Sequence, residues 1–358
     1  MKRHIVLAKK IIESNFKYLD FPYKLTLITT YNCNSKCLTC NIWKIDDFSQ
    51  ELKLEEYQEF FKKSNEFSWV DISGGEIFLR KDIVELAKAI TDNCKNLYML
   101  HFPTNSLLPK RVIEKTKEIL ELKPNKLIVT VSLDGNEGLH DKIRGVKGNF
   151  EKCMQTYEGL KSMGVETYFG FTLSNYNLGM IDKTFEAVKR RFNHITWDDF
   201  HMNISNSSDH YYGIKMRQLT TAEVVSEVNR FIQKRGIPRT PVQILEYRYL
   251  SKIEEFLKTR RTPVTCKALS SSCFLDPKGD VYPCNSFSKV MGNIRNYDYD
   301  LRKIWNLPST QETREGITKG KCPHCWTPCE AYQSLLGNLF NQEVKHEVID
   351  DKPPIQAC

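Results

Sequence analysis

The sequence predicts an α/β protein: six strand–helix units that form an open parallel sheet or a partial barrel, followed by a small cysteine-rich domain. From about residue 24 to residue 205, runs rich in Val, Ile, Thr, Phe and Tyr alternate with helical patterns. Such alternation favours parallel strands joined by right-handed crossovers. From about residue 260 the chain is instead rich in cysteine, proline and glycine, which is typical of a small domain that needs metal to hold its fold.

The predicted strands share an enrichment in β-branched and aromatic residues. They cover residues 24–30, 67–73, 96–104, 126–133, 165–173 and 195–204, and helical patterns separate them over residues 53–65, 81–93, 109–122, 149–163 and 180–192. Further helices are predicted up to about residue 16, over residues 220–235 and 241–259, and over residues 330–341. In a sheet of this kind, functional loops follow the C-terminal ends of the strands.

These patterns divide the chain into five segments. An N-terminal helix occupies residues 1–20, the strand–helix series residues 21–215 and a helical linker residues 216–259. The cysteine-rich domain covers residues 260–330, and a C-terminal helix and tail cover residues 331–358. A chain of this length can bury a large apolar core without disulfide bonds.

The composition excludes several classes of protein. Of the 358 residues, 41% are hydrophobic and 27% are charged, which is ordinary for a globular chain and excludes a disordered or collagenous one. The net charge of +8 is scattered along the sequence and indicates no nucleic-acid partner. No apolar run reaches the ~18–20 residues that span a bilayer. The apolar run at the N-terminus is too short for a signal peptide, so we expect a cytoplasmic protein.

Cysteine is the unusual feature, since the chain has 12 cysteines and most of them form two groups. In a chain without a secretion signal, clustered cysteines are typical of metal ligands rather than of disulfide bonds. The first group directly follows the first strand with the spacing CxxxCxxC, and consists of Cys33, Cys37 and Cys40. A structural zinc site usually has four ligands. Three thiolates suit a [4Fe–4S] cluster that leaves one iron open for a substrate or cofactor.

Two further motifs lie at the ends of predicted strands. Gly74, Gly75 and Glu76 end the second strand. Glycines let the backbone approach a ligand, and a carboxylate can hold an ammonium group. The fourth strand ends in Ser132-Leu133-Asp134-Gly135, and the stretch His140-Asp141-Lys142-Ile143-Arg144-Gly145 follows it. The guanidinium group of an arginine is suited to binding a carboxylate through both oxygens.

Taken in this order, the motifs resemble those of the radical S-adenosylmethionine (SAM) superfamily. The resemblance implies a partial (β/α)6 barrel of the TIM type and a [4Fe–4S] cluster, held by the first cysteine group, whose open iron binds SAM. It also implies that an electron from the cluster cleaves SAM to a 5′-deoxyadenosyl radical, which abstracts a hydrogen atom from the substrate. The residues that it places around SAM are Gly74, Gly75, Glu76, Ser132, Arg144 and Asn177. Two positions depart from the pattern: Thr39 stands where relatives often have an aromatic residue, and Ile77 where they usually have proline.

The second cysteine group resembles the SPASM/twitch domain, which carries one or two auxiliary iron–sulfur clusters in that superfamily. Its members are Cys266, Cys273, Cys284, Cys322, Cys325 and Cys329. The first half of the group fits the SPASM pattern, whereas the C-x2-C-x3-C spacing at its end departs from it. We favour one auxiliary cluster, with Cys266, Cys284, Cys322 and Cys325 as its core ligands, over two clusters that recruit the others. Cys358 is a doubtful ligand because chain ends are usually mobile, and a structural zinc ion at this group stays open.

Substrate and partners follow only from the resemblance. Relatives modify peptides or small molecules, so the substrate is either a peptide or a small sugar- or alcohol-like molecule, and both stay open. The chain has only about twenty residues ahead of the first strand, too few for a leader-binding domain, which weakens the peptide interpretation. The resemblance also implies a flavodoxin- or ferredoxin-type electron donor in a low-oxygen cytoplasm. The alternative of another class is a non-catalytic zinc- or metal-binding interaction protein, for which the sequence offers no concentrated basic patch.

Polar and aromatic side chains lie on or after the sixth predicted strand. Asp198, His201 and Asn203 belong to it, and Tyr211 and Tyr212 follow in a polar loop. Because alternate strand residues share one face, His201 and Asn203 either line a substrate pocket or form a polar edge of the barrel. No catalytic acid or base is assigned from the sequence.

Overall fold

The computed structural model describes residues 2–213 and 220–340. Its first six strands are parallel, and each pairs with the next along the chain. They are β1 (Lys24–Ile28), β2 (Trp69–Ser73), β3 (Met99–Thr104), β4 (Leu127–Ser132), β5 (Glu166–Leu173) and β6 (Phe200–Ile204). β6 forms an edge of the sheet, so the series does not close on itself. The α/β fold with a partial (β/α)6 arrangement is therefore confirmed.

Three short strands continue the same sheet beyond β1. β7 (Ser272–Leu275) pairs with β1 in parallel, and β8 (Asp280–Tyr282) and β9 (Gly292–Asn293) follow in antiparallel pairs. The strand order is β6-β5-β4-β3-β2-β1-β7-β8-β9. The cysteine-rich region thus extends the sheet of the barrel, and β1 lies between the two parts.

Helices accompany the strands along the chain. Those of the barrel are α1 (Arg3–Ser14), α2 (Leu54–Lys63), α3 (Ile83–Asn93), α4 (Pro109–Glu121), α5 (Glu137–Arg144), α6 (Asn149–Ser162) and α7 (Ile181–Arg191). Those that follow are α8 (Thr221–Arg235), α9 (Pro241–Ser251), α10 (Ile253–Thr259), α11 (Leu301–Trp305), α12 (Pro308–Thr318) and α13 (Pro328–Leu336). None of these helices, which are all that the described ranges contain, is long and apolar enough to cross a membrane.

Burial alternates along the strands with a period of two, as side chains on opposite faces of a sheet require. On β5, Phe169 and Phe171 are buried and join the apolar core, whereas Tyr168 and Thr172 are half-buried. The same alternation leaves polar residues on the face of β1–β6 opposite to that core, which we call the inner face. Its polar members include Lys24, Thr26, Asp71, Ser73, His101, Thr130, Ser132, Tyr168, Thr172, His201 and Asn203.

The structure contains all six predicted strands and corrects several boundaries. β6 begins at Phe200 rather than at residue 195, because Trp197–Asp199 form a 3-10 turn. In that turn the Asp199 carboxylate accepts hydrogen bonds from the amide and the hydroxyl of Thr196. The predicted helix over residues 241–259 is two helices that meet at Lys252. The sequence analysis missed α5, α11 and α12, whose residues are mostly polar or whose spans are short.

Lys24 joins the barrel to the C-terminal region. It is fully buried at the start of β1, and its Nζ lies 2.5 Å from the carbonyl oxygen of Cys329, 3.2 Å from Gln333 Oε1 and 3.1 Å from Asp71 Oδ2. Burial opposes its charge, but the attraction of Asp71 raises the pKa of Lys24. These bonds hold α13, which contains the last predicted helix, against β1. The predicted end of that helix at residue 341 is wrong, since α13 ends at Leu336 and Gly337 is its C-cap. The segment boundary at residue 215 and Cys358 lie outside the described residues.

Candidate active site and auxiliary-cluster site

The loop that follows β1 carries the first cysteine group, and the C-terminus of α5 holds one side of it. The amide of Lys36 donates to the carbonyl oxygen of Arg144 at 2.9 Å. The amide of Leu38 donates to the carbonyl oxygen of Ile143 at 2.9 Å. Gly145 ends the helix with a φ of 68°, and a Cβ there would lie 2.6 Å from the carbonyl oxygen of Lys36. Glycine at this position therefore permits the approach of the cysteine loop.

The glycine pair after β2 holds the other side of the cysteine loop. The amide of Gly75 donates to the carbonyl oxygen of Thr30 and the amide of Glu76 to that of Asn32, both at 2.8 Å. A Cβ would lie 2.6 Å from the Thr30 oxygen if placed on Gly74, and 2.2 Å from the Asn32 oxygen if placed on Gly75. The sequence analysis expected these glycines to make room for a ligand. In the structure they make room for the backbone of the cysteine loop.

The Glu76 carboxylate lies buried where β2 and β3 end. Its Oε1 accepts hydrogen bonds from the Thr104 hydroxyl at 3.1 Å and from the Phe78 amide at 3.3 Å, and its Oε2 accepts one from the Asn105 amide at 2.7 Å. The side chain of Asn105 in turn donates to Asn34 in the cysteine loop at 2.8 Å. Burial raises the pKa of Glu76 to about 7. A ligand ammonium group beside it would stabilise the charged form.

Arg144 lies between the first cysteine group and the end of β4. Its Nη2 is 2.7 Å from Asp134 Oδ2, and its Nη1 is 3.8 Å from the sulfur of Cys37. Its Nε is buried and has no hydrogen-bond partner in the described part of the chain. The guanidinium group therefore keeps a buried donor for a ligand. Ser132, the last residue of β4, is half-buried on the same inner face.

Asn177 follows β5 and folds its own loop. Its Nδ2 donates to the carbonyl oxygens of Asp134 at 3.0 Å and Thr172 at 2.9 Å. Its Oδ1 accepts from the amide and the hydroxyl of Ser174 at 2.7 and 3.1 Å. A contact between Asn177 and a cofactor would have to replace one of these bonds, since the amide group can donate only two.

The chemistry of the first group fits a cluster that has one open iron. Burial raises the pKa of Cys33 to about 11 and that of Cys40 to about 12, so these thiols become thiolates only when a metal binds them. No three His, Cys, Asp or Glu side chains within residues 2–213 and 220–340 converge closely enough to hold a metal ion. Ligands of a [4Fe–4S] cluster bind different irons and need not converge on one ion. The unpartnered Arg144 donor and the buried Glu76 carboxylate provide opposite charges for an amino-acid ligand beside them.

Four cysteines of the second group line one pocket. They come from three stretches of chain that precede β7, follow β8 and precede α13: Cys266, Cys284, Cys322 and Cys325. Ile317 and Phe287 form part of its apolar wall. Burial raises the pKa of the Cys266 and Cys322 thiols. The structure thus brings together the four cysteines that the resemblance to the SPASM domain favoured as the core ligands of one auxiliary cluster.

The other two cysteines of this group lie elsewhere. Cys273 is fully buried on β7, opposite Leu25 of β1, and does not line the pocket. Cys329 is in the first turn of α13 and does not line it either. One four-thiol pocket is what a single auxiliary cluster requires.

Comparison with protein families resolves the nature of both sites. The family described as "Radical SAM superfamily" matches residues 27–188. The SPASM family, described as "Iron-sulfur cluster-binding domain", matches residues 266–330. The chain is a radical SAM enzyme with a C-terminal SPASM domain. The family implies a [4Fe–4S] cluster, SAM and auxiliary iron–sulfur chemistry. The second cysteine group therefore belongs to an iron–sulfur domain rather than to a zinc site, and the chain is an enzyme rather than a non-catalytic metal-binding protein. The assignment of individual residues remains a prediction.

Several characterised radical SAM and SPASM proteins are similar to this chain. The antilisterial bacteriocin subtilosin biosynthesis protein AlbA of Bacillus subtilis (strain 168) is 24% identical over 330 residues, which cover 87% of this chain and 68% of AlbA. An AdoMet-dependent heme synthase of Methanosarcina barkeri is 25% identical over 315 residues, which cover 83% of this chain and 86% of that protein. The structure of Streptococcus suis SuiB bound to its precursor peptide SuiA superposes with a TM-score of 0.59 at 17% identity, covering 90% of this chain and 75% of SuiB. This last likeness concerns the fold.

The sequence analysis of this radical SAM enzyme missed a chain of polar contacts on the inner face. Asp71 Oδ2 lies 3.1 Å from the Lys24 ammonium, and Asp71 Oδ1 lies 3.1 Å from His101 Nδ1. His101 Nε2 lies 2.9 Å from the Thr130 hydroxyl. Burial alone would raise the pKa of Asp71, but Lys24 lowers it. Polar residues at alternate positions of otherwise apolar strands were the signal for this chain.

A second polar group completes the inner face at its open edge. The ring of His201 on β6 lies 4.2 Å from that of Tyr168, centroid to centroid, and its Nδ1 is 3.5 Å from Glu246 Oε2. Glu246 is buried on α9 and pairs with Arg235 at 2.6 Å. Burial lowers the pKa of His201, although Glu246 opposes this effect. The imidazole is therefore neutral near neutral pH and can donate or accept a hydrogen bond.

Proposed function

We propose that this radical SAM enzyme modifies a peptide whose reacting residue lies on the inner face of β1–β6. The observation that supports this is the charge of that face. Within these six strands Lys24 is the single lysine or arginine, and Asp71 neutralises it. Glu166, the first residue of β5, is also charged, and it pairs with Lys126 at 3.1 Å. The other polar groups of the inner face are hydroxyls, amides, a phenol and imidazoles, which suit the amides and neutral side chains of a peptide. AlbA acts in bacteriocin biosynthesis, and SuiB binds a precursor peptide, so both relatives support this substrate class.

A tetrapyrrole is the second candidate, because a heme synthase is among the relatives with the most even coverage. Porphyrin substrates carry several carboxylates, and buried carboxylates need cationic partners. The inner face offers no lysine or arginine that lacks an acidic partner, since Lys24 pairs with Asp71 and the nearby Arg235 pairs with Glu246. The electrostatics of the described inner face therefore favour the peptide.

Each residue group has a role in this proposal. The bound cluster and SAM supply an electron and a 5′-deoxyadenosyl radical that takes a hydrogen atom from the substrate. Cys33, Cys37 and Cys40 hold the cluster, Glu76 binds the SAM ammonium group, and Arg144 binds its carboxylate through the free Nε. Gly74 and Gly75 fix the loop beside it, with Ser132 and Asn177 as further contacts. Residues 21–215 form the SAM-binding part, and residues 260–330 form the auxiliary part.

The four thiols Cys266, Cys284, Cys322 and Cys325 hold one auxiliary cluster, which accepts or relays an electron or binds the substrate. A flavodoxin or ferredoxin delivers the electron that starts the reaction. Cys266 precedes β7 and Cys284 follows β8, and these strands continue the sheet of the SAM-binding part because β7 pairs with β1. The two sites therefore belong to one packed unit, as electron transfer between them requires.

The test is anaerobic turnover with chemically distinct substrates. Reconstituted enzyme with dithionite or reduced flavodoxin is mixed with peptides encoded by short reading frames beside its gene, or with iron coproporphyrin. We expect peptide-dependent formation of 5′-deoxyadenosine and a mass change in one peptide, and neither when Cys33, Cys37 and Cys40 are all replaced by alanine. Conversion of the porphyrin without any peptide modification would reject the peptide assignment. Formation of 5′-deoxyadenosine by the triple variant would reject the cluster assignment.

A further inference from the structure

The segment that follows β6 contacts the loops of both cysteine groups. It comprises residues 205–213, and we call it the bridge segment. The sequence analysis predicted a polar loop here, and no role in SAM binding or cluster binding follows from the family comparison. Its contacts form two sets, one at each site.

The first set reaches the hairpin of the auxiliary pocket. The Ser208 hydroxyl donates to the carbonyl oxygen of Asn285 at 2.5 Å, and the Asn206 side chain donates to the Ser286 hydroxyl at 2.8 Å. The Ser286 amide in turn donates to the sulfur of Cys284 at 3.4 Å. The bridge segment therefore binds the two residues that directly follow a predicted ligand of the auxiliary cluster.

The second set reaches the loop of the first cysteine group. The amide of Asn41 donates to the carbonyl oxygen of Tyr212, and its side chain donates to that of Gly213, both at 2.8 Å. Asn41 directly follows Cys40. The bridge segment therefore holds both the backbone and the side chain of Asn41. A movement of Cys40 would disturb the bridge segment.

Tyr211 adds a contact to the glycine pair of the SAM-binding loop. Its hydroxyl donates to the carbonyl oxygen of Gly74 at 3.5 Å and lies 3.1 Å from the Ser73 hydroxyl. Its ring is buried and packs edge-on against Phe274 of β7, with 5.3 Å between ring centroids. One side chain therefore touches both the loop beside SAM and a strand of the SPASM domain.

These contacts belong to a small apolar cluster that the two sites share. Its buried members are Ile28, Tyr31, Ile42, Tyr211, Phe274 and Tyr282. Cys33 and Cys40 pack against the cluster on one side. On the other side, the ring of His210 stacks on Tyr282 of β8 at 4.4 Å. A close-packed cluster transmits a displacement from one wall to the other because it has no free volume to absorb it.

We infer that the bridge segment couples the SAM site to the auxiliary pocket, with Tyr211 as the residue that positions the glycine loop. Tyr211 acts through Gly74 and is a positioning residue, since it bonds to the loop rather than to a ligand. The contacts of Ser208 carry the same constraint to the Cys284 hairpin. Because coupling between two sites is reciprocal, SAM binding changes the environment of the auxiliary cluster, and breaking the bridge at either end weakens SAM binding. The inference rests on the proposed SAM site.

The test compares SAM binding in three variants of the reconstituted enzyme. Tyr211→Phe removes only the hydroxyl at the SAM end. Ser208→Ala removes the bond to Asn285 at the auxiliary end, together with the bond that the Ser208 hydroxyl accepts from the Tyr211 amide at 3.2 Å. Asp209→Asn, at an exposed position of the same segment, is the matched control. Loss of one hydrogen bond corresponds to ~2–10-fold weaker SAM binding. We expect this weaker SAM binding for both variants by anaerobic calorimetry. We also expect SAM to shift the electron paramagnetic resonance signal of the reduced auxiliary cluster less than in the wild type. The control should change neither quantity.

The outcomes separate this inference from the proposed function. If the wild-type enzyme does not bind SAM, the proposed function fails. If it binds SAM and Ser208→Ala binds it equally well with unchanged iron content, the coupling is refuted. A variant that loses iron is examined by hydrogen exchange of its chain. Coupling predicts faster exchange both at residues 39–44 and at residues 284–288 after either substitution, whereas faster exchange at the substituted end alone would overturn it.

Discussion

The glycine pair after β2 offers a sharp test of why this motif exists. In Gly75→Ala the new Cβ would lie 2.2 Å from the carbonyl oxygen of Asn32, more than ~1 Å short of ordinary contact, and 2.8 Å from that of Tyr31. Both neighbours are backbone atoms that no rotamer change can move. Overpacking of this kind costs about 1–3 kcal/mol, and a shift would strain the two hydrogen bonds between the loops, each contributing ~1 kcal/mol. We expect a loss of about 3–5 kcal/mol in the free energy of unfolding.

The assay is urea denaturation of the metal-free protein under reducing conditions. Gly138→Ala is the matched control, because Gly138 lies in α5 and a Cβ there meets nothing within 4 Å. Alanine is the better helix former, so this control should gain about 0.5–1 kcal/mol. If Gly75→Ala is as stable as the wild type and loses only SAM binding, the glycine serves the ligand and the reasoning is refuted.

Three further predictions follow from buried groups. Lys24→Met leaves Asp71 buried without its cation, so it should lower the free energy of unfolding by about 3–5 kcal/mol. In the same denaturation assay, the double variant Lys24→Met with Asp71→Asn should recover much of this loss. Burial raises the pKa of Glu76 to about 7, above its usual range, so SAM affinity should rise as the pH increases through 7 and the carboxylate ionises. In calorimetric titrations Glu76→Gln should flatten this pH profile. Equal slopes of affinity against pH for the variant and the wild type would contradict the prediction. Cys325→Ala should lose about four irons per chain on reconstitution. Cys273→Ala should keep them, because Cys273 lies outside the auxiliary pocket. Iron analysis that shows the reverse would make Cys273, rather than Cys325, a ligand of the auxiliary cluster.

Much of the fold could be predicted because its signals are local. The strands of the barrel are short runs of β-branched and aromatic residues, and the order of motifs along the chain placed Cys33 and Glu76 in the loops that follow β1 and β2, where the structure has them. The four cysteines that line the auxiliary pocket were also favoured by their match to the SPASM pattern. The strands needed only the period of each element, whereas the site residues were assigned through the resemblance of their motifs to those of the radical SAM superfamily and the SPASM domain.

Non-local contacts account for what the sequence could not show. The pairing of β7 with β1 joins residues almost 250 positions apart, and no local pattern encodes such a partner. α5 was missed because it is short and mostly polar, yet its carbonyl oxygens hold the cysteine loop. The glycine pair was identified from its motif, but its closest neighbour proved to be the protein backbone. That distinction depends on a tertiary distance.

Strand β1 connects the SAM site to the auxiliary-cluster site. Its first residue, Lys24, bonds to the backbone of Cys329 in α13, and its last residue leads into the loop of the first cysteine group. One edge pairs with β2, which leads into the glycine pair and Glu76, and the other edge pairs with β7 of the SPASM domain. A displacement of this strand would therefore move the cluster loop and the auxiliary pocket together. The distance between the two sites is set by hydrogen bonds of one continuous sheet rather than by the docking of two separate domains.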